Sequence, residues 1–434
     1  MSEIEQTPTR VGVLGSSHQA LVDDHGAIAP DGARWQLDWW VGADDRWHVP
    51  AREAAVRQSL VGGAPVVETS LRVPGGDAVH RAYGVGGPAG LVAVEIENAS
   101  GAPFVAALVL GPTPGGRLRT AGTRGSWVTV DGRPALRTPR PAMRWAAGAP
   151  GDTFEVVAAG RAQAGSFTGV GGRGLRLEVV LLHPVAHRTR LRCALAAGRP
   201  NRSVPVEAVD LSLLPDADAA AAGWAAHLGR GMRVVVPEPR LQRAVDAARA
   251  ALLLAADASR RPRPEEVAAL EDWGFDDEAA ASWRRLGMRA RRRAAQRARD
   301  PAPWASVQAR LVSASSTFTW PDGPAPLLRA LRDLLVGAGD RIGTSDEGSA
   351  ALLVELPDAW RGQSIEVHDA PTRAGRVSYA VRWHGPRPAL LWECERPIRL
   401  SAPGLDPAWS TSEARGEALL AAPTGASPDA GGFS

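Results

Sequence analysis

From about residue 10 to residue 235, apolar and polar positions alternate with a period of two, and helical periodicity is almost absent. In Leu91-Val92-Ala93-Val94-Glu95-Ile96-Glu97, the side chains of Val92, Val94 and Ile96 alternate with those of Glu95 and Glu97. That is the pattern of a strand with one buried face. Asn98-Ala99-Ser100-Gly101 then predicts a turn, and Phe104 to Leu110 an apolar partner strand. Trp127-Val128-Thr129-Val130 runs into Asp131-Gly132, a dipeptide that tolerates positive φ and so predicts a tight hairpin. Leu175, Leu177, Val179 and Leu181 alternate again. At about 10 residues per strand and turn, this region supplies on the order of twenty strands, enough for a large two-sheet sandwich.

The pattern changes at Pro237. Leu241, Val245, Ala248 and Leu252 recur at spacings of three and four, which predicts an amphipathic helix. A second helix is expected from Pro264 to Gly274, with proline at its start and glycine just past its end. A third begins near Asp276, and a fourth spans Pro326 to Val336 with Leu327, Leu328, Leu331, Leu334 and Leu335 on its inner face. The proline-punctuated stretch from Pro301 to Pro324 is expected to be irregular. Strand alternation returns at Val377, Tyr379, Val381 and Trp383. The chain is thus expected to be an α+β multidomain protein. Residues 1–235 would form a large β-sandwich, 236–340 a helical domain, 341–409 a small C-terminal β-domain, and 410–434 a disordered tail.

Several segments resemble bacterial six-hairpin glycosidases, the glucoamylase-like superfamily. Gly15-Ser16-Ser17-His18-Gln19-Ala20-Leu21-Val22-Asp23-Asp24-His25-Gly26-Ala27-Ile28 looks like the first hairpin of such proteins. Asp38-Trp39-Trp40-Val41-Gly42-Ala43-Asp44-Asp45-Arg46-Trp47-His48-Val49-Pro50 and Arg72-Val73-Pro74-Gly75-Gly76-Asp77-Ala78-Val79-His80-Arg81 resemble the N-terminal domain of longer actinobacterial relatives. Pro239-Arg240-Leu241-Gln242-Arg243-Ala244-Val245 is similar to the first barrel helix, Leu331-Arg332-Asp333-Leu334-Leu335-Val336 to the last, and Ala370-Pro371-Thr372-Arg373-Ala374-Gly375 to the closing β-domain. The resemblance covers most of the chain in family order, and it implies catalysis by a ring of twelve helices. At about 11 residues per helix and about 4 per loop, such a ring needs roughly 180 residues. Residues 236–340 hold about half that number. The resemblance therefore implies a truncated member whose helices are the remnant of an α/α-toroid, with no more than about six of them.

Composition narrows the partners. Hydrophobic content of 44% and charged content of 22% are those of an ordinary globular protein. All 50 basic residues are arginine, the bias of a GC-rich bacterial genome. A net charge of +3 argues against a dedicated nucleic-acid binder. The first residues lack the basic and apolar regions of a signal peptide, and no apolar run is long enough to span a bilayer. Cys193 and Cys394 read as buried free thiols of a reducing cytoplasm. No cofactor is expected. His183 and His187 are four apart, but Pro184 between them argues against a zinc-binding helix. Gly169-Val170-Gly171-Gly172-Arg173-Gly174 lacks the Lys-Ser/Thr of a phosphate loop and reads as a turn.

Glycoside hydrolysis needs two carboxyl groups flanking the bond, about 5 Å apart for retention and about 6.5–9.5 Å for inversion. The candidates are Asp322, in Trp320-Pro321-Asp322 where many relatives carry Trp-Pro-Glu, and Glu278 in an acidic run with Asp272, Asp276 and Asp277. Each also has a plainer role. Asp322 precedes Gly323 as a turn acid would, and acids at a helix start complement its dipole. The long Gly- and His-rich loop that relatives place after this motif is absent, because Gly323-Pro324-Ala325-Pro326 leads straight into the last helix. Of 15 tryptophans, Trp320, Trp273 and Trp47 are candidates for stacking on sugar, against the alternative of filling interfaces. The arginine-rich run from Arg284 to Arg299, with Arg289, Arg292 and Arg293 at its centre, offers a face for an acidic partner. The expected function is a carbohydrate-binding or accessory protein whose partner is an oligosaccharide or polysaccharide, itself, or a full-length homologue. The alternatives are an active hydrolase with a minimal helical domain and an interaction scaffold using the arginine helix.

Overall fold

Alternation along the first half becomes strands, as the pattern predicts, but the partners are not all neighbours in sequence. The computed structural model describes residues 8–86, 90–167, 170–171, 176–197, 209–256, 261–287, 303–313, 320, 322–338 and 348–423. The chain is of mixed α+β class and forms two compact units, the first ending at Ala225 and the second running from Ala226.

The first unit contains two nine-stranded sheets. One has the order Thr9–Gly12, Gln19–Val22, Ile28–Pro30, Trp35–Gly42, Phe104–Pro112, Glu178–Val185, Arg144–Gly148 and Gln163–Ala164, with Trp47–His48 beside Trp35–Gly42. The other has the order Val170–Gly171, Thr120–Arg124, Trp127–Val130, Arg133–Arg137, Arg190–Ala196, Leu91–Asn98, Gly76–Val85, Val66–Val73 and Arg57–Leu60. Ile28, Leu37, Trp39 and Leu108 from the first sheet share one core with Leu71, Val94, Ile96, Leu136 and Leu195 from the second. The back of the first sheet is buried too. Trp40, Val109 and Val180 pack there with Phe154 and Val157 of the helix Asp152–Ala158.

Two sequence expectations are corrected here. Leu91–Asn98 and Phe104–Pro112 are not hairpin partners: they lie in different sheets, so the turn between them crosses the sandwich. Period two says which face a residue takes and not which strand it meets. The unbroken apolar run Phe104 to Leu110 marks a strand covered on both faces, with the helix Asp152–Ala158 packed behind its sheet. The region also contains two helices that the sequence pattern did not predict, Asp152–Ala158 and Ala217–Leu228. The second is mostly alanine and gives no contrast between faces. The Asp131-Gly132 hairpin forms as expected, with φ of 48° and 78° at its two central residues.

In the second unit, Pro239–Ala255, Pro264–Asp272, Asp276–Arg285 and Ala325–Leu335 are helices close to their expected bounds. Leu241, Val245, Ala248 and Leu252 are fully buried, as are Leu327, Leu328, Leu331, Leu334 and Leu335. The expected irregular stretch from Pro301 to Pro324 contains a further helix, Pro303–Val312; proline is tolerated in a first turn, so punctuation concealed it.

A five-stranded sheet has the order Arg233–Val235, Ile365–Thr372, Gly375–His384, Arg387–Cys394 and Arg415–Leu419. A four-stranded sheet has the order Val336–Ala338, Ser349–Leu352, Arg399–Ala402 and Asp406–Thr411, with a parallel pairing of Ser349–Leu352 and Arg399–Ala402. Arg233–Val235 precedes the helices yet pairs with Ile365–Thr372, which follows them. These helices are therefore an excursion from one sheet, and they share a unit with the C-terminal strands instead of forming a domain of their own. Buried bonds join the two. Tyr379 Oη donates to Leu335 O at 2.8 Å, and Arg332 Nη2 donates to Pro371 O at 2.9 Å. The tail expected to be disordered from residue 410 begins instead as ordered chain: Arg415–Leu419 adds an edge strand and Leu420 is buried. Among the described residues, no helix is long and apolar enough to cross a membrane.

Candidate functional site

Asp322 is held by its backbone. Gly323 N donates to Trp320 O at 3.1 Å, closing a turn that needs Gly323 at φ 84°. Arg263 Nη1 donates to the carbonyl of Asp322 at 3.3 Å, and the residue itself is exposed. Trp320 is half-buried, and its indole N–H is enclosed without a hydrogen-bond partner among the described residues.

Glu278 lies in the first turn of Asp276–Arg285 with Asp276 and Asp277. The residue flanking that helix start is Phe275, which makes no side-chain cap, and Asp276 instead accepts from Arg376 Nη2 at 3.2 Å. The carboxylate of Glu278 is paired with Arg230, which also reaches Asp277 at 3.4 Å. Three acids at a helix start, two of them paired with Arg230 and the third with Arg376, form an arrangement that stabilises the helix.

Trp273 is not available for stacking on a ligand. Its exposure is 0%, and its Nε1 donates to Leu328 O at 2.9 Å. The Arg249 guanidinium lies 5.8 Å from its ring, and burial lowers the pKa of that arginine to about 10. The expectation that Trp273 meets sugar is corrected: it is a core residue whose one polar side-chain atom already has a partner. Trp47 belongs to the first unit, where it is half-buried against the cluster around Trp40 and Val49. Gly42 permits this, since a Cβ there would lie 2.8 Å from the Trp47 ring. The candidates are thus dispersed, with Trp320, Asp322, Glu278 and Trp273 in the second unit and Trp47 in the first. Arg289, Arg292 and Arg293 lie outside the described residues.

The strongest polar constellation was not singled out from sequence. Glu95, at 0% exposure, accepts from Tyr83 Oη at 2.7 Å and pairs with Arg192 at 2.7 Å and Arg190 at 3.3 Å. Tyr83 Oη also lies 3.0 Å from Pro215 O, and Arg192 Nη1 donates to Leu214 O at 3.0 Å. Burial, and then the Glu95 carboxylate, push the Tyr83 phenol up. With both partners cationic and the phenol held protonated, this is a clamp between the sheet and the segment at Leu214 and Pro215. The visible signal was the glutamate within an otherwise apolar alternating run.

Two carboxyls, Asp38 and Asp246, are shifted toward neutrality, each chiefly by burial. Asp38 has its pKa raised to about 7, chiefly by burial and then by the charges of Asp23 and Glu178, against a hydrogen bond from Trp39 N at 2.7 Å. Among the described residues, no group of His, Cys, Asp and Glu side chains is arranged to hold a metal ion. His183 lies in the strand Glu178–Val185, so it forms no helical pair with His187. Cys193 and Cys394 are buried free thiols. No known family model matches this chain, and no curated protein matches it.

Proposed function

We propose that this chain is a glycan-binding or accessory protein of bacterial carbohydrate metabolism, built on a six-hairpin glycosidase plan and without efficient hydrolysis. The observation that carries the proposal is the state of the two candidate acids. Glu278 is neutralised by Arg230, and Asp322 sits in a turn on the surface. A hydrolase needs one carboxyl to protonate the leaving oxygen and a second to attack or to activate water, and among the described residues neither acid is set up with a partner for that division of labour. The order of the chain, a strand-rich half followed by helices and then a second set of strands, agrees with the segments that resemble the family. Of the three stacking candidates, half-buried Trp320 and Trp47 keep area to offer a pyranose. The two buried free thiols suit a reducing cytoplasm.

The test is incubation with a panel of α- and β-linked oligosaccharides, following both binding and release of reducing ends. Binding with negligible turnover is expected. Robust hydrolysis abolished by Asp322→Asn would replace the proposal with the minimal-hydrolase alternative.

A further inference from the structure

The first unit carries a hollow lined by Arg34, Arg117, Arg119, Thr120 and Asp131. We infer that it is a binding site for the phosphate group of a small, hydroxyl-bearing phosphate monoester, such as a sugar phosphate. The hollow measures about 460 Å³, within the range of small-molecule sites. Its phosphate chemistry does not depend on the glycan reading above.

The frame is rigid because it is made of backbone. Thr113 N donates to Arg34 O at 3.1 Å, and Gly116 N to Thr113 O at 2.8 Å. Gly116 is required at this approach, because a Cβ would stand 2.3 Å from Arg34 O. The segment beyond it is anchored by Leu118, which is fully buried and accepts from Leu177 N at 3.1 Å, while Arg117 and Arg119 on either side of it are exposed. Asp131 closes the far wall. Its Oδ1 accepts from Arg119 N and Thr120 N, each at 3.0 Å, which aligns the two walls and leaves Oδ2 without a partner among the described residues.

Charge selects the ligand. Among the described residues, none of the three arginine side chains forms an ion pair or donates a hydrogen bond. Elsewhere in the unit Arg81 is paired with Glu68 and Glu97, and Arg10 with Asp31. Three guanidiniums against one carboxylate leave the hollow with a formal charge of +2. A carboxylate ligand brings a single negative charge and a neutral sugar none, whereas a phosphate monoester carries about −1.5 to −2 at pH 7. Guanidinium forks match phosphate oxygens in pairs. Asp131 Oδ2 and the Thr120 hydroxyl stand beside them as partners for hydroxyl groups on the ligand.

The test is calorimetric titration of the full chain with inorganic phosphate, glucose 6-phosphate and glucose, in low salt at pH 7.5 and pH 5.5. Inorganic phosphate and glucose 6-phosphate are expected to bind saturably, the sugar phosphate more tightly, with glucose silent. Affinity should fall at pH 5.5, where the second phosphate proton returns at about pH 6, and with added salt. Arg117→Gln with Arg119→Gln should weaken binding by about tenfold or more at an unchanged melting temperature. No saturable binding of either phosphate, or equal binding by the double variant, overturns the site. Phosphate binding with no gain from the sugar overturns the hydroxyl-bearing class alone. Neither result bears on oligosaccharide binding, which is measured separately.

Discussion

Glu95 is a full charge inside the first unit, and it survives there because two guanidiniums and a phenol surround it. Removing that charge leaves the arginines facing a neutral group. Glu95→Gln is expected to cost about 3 kcal/mol or more of stability, read from the urea midpoint; a loss under about 1 kcal/mol would show that the clamp is idle. His80 tests burial through pH. It stacks on Trp39 at 5.0 Å, and desolvation lowers its pKa to about 3. Between that value and about 6.5, the unfolded chain binds more protons than the folded one, so stability falls as pH falls through this window. His80→Phe keeps a ring and takes no proton. From pH 7 to pH 4.5 it should lose less stability than the parent, by about 2–3 kcal/mol. Equal losses would contradict a neutral, buried His80. At this scale the sequence showed residue types and not their surroundings. Glu95 read as the polar phase of an alternating strand, and only the folded sheet shows that its outer face is covered. Trp273 read as a stacking surface because a Trp after an acidic helix gives no sign of burial.

Elements were more legible than their partners. The leucine stripe of Ala325–Leu335 marked the helix and its buried face, and all five leucines are fully enclosed. Leu331→Ala is therefore expected to cost about 2–5 kcal/mol, while Leu391→Ala, at a site 37% exposed, should cost less than about 1 kcal/mol. Thermal or urea unfolding of the two variants separates them, and similar losses would contradict the assigned face. Asp131-Gly132 was legible for the same local reason, since two successive positive φ angles leave few choices of residue. Pairing was not legible. Nothing in Leu91–Asn98 states that its neighbours are Gly76–Val85 and Arg190–Ala196 and that Phe104–Pro112 lies across the core. Nor does Arg233–Val235 announce a partner more than a hundred residues later. Helix Ala217–Leu228 escaped notice because alanine favours helix without marking a face.

At the scale of the whole molecule, the switch from strand to helix and back was visible in the sequence, whereas the grouping of the helices with the C-terminal strands was not. Both candidate acids lie in the second unit, and on the proposed reading it is their state, Glu278 paired with Arg230 and Asp322 in a surface turn, that sets a glycan-binding protein apart from a hydrolase. Because Asp322 is a turn residue in this account, Asp322→Asn should leave both folding and oligosaccharide binding within about twofold of the parent, a change under about 0.5 kcal/mol. Proton NMR of an oligosaccharide panel incubated with the intact protein tests the central claim most directly, because one spectrum reports both contact and chemistry. The account predicts saturation transfer from protein to the protons of a bound oligosaccharide, with its anomeric signals unchanged over hours. Loss of those anomeric signals as new reducing ends appear, or no transfer to any sugar in the panel, would contradict it.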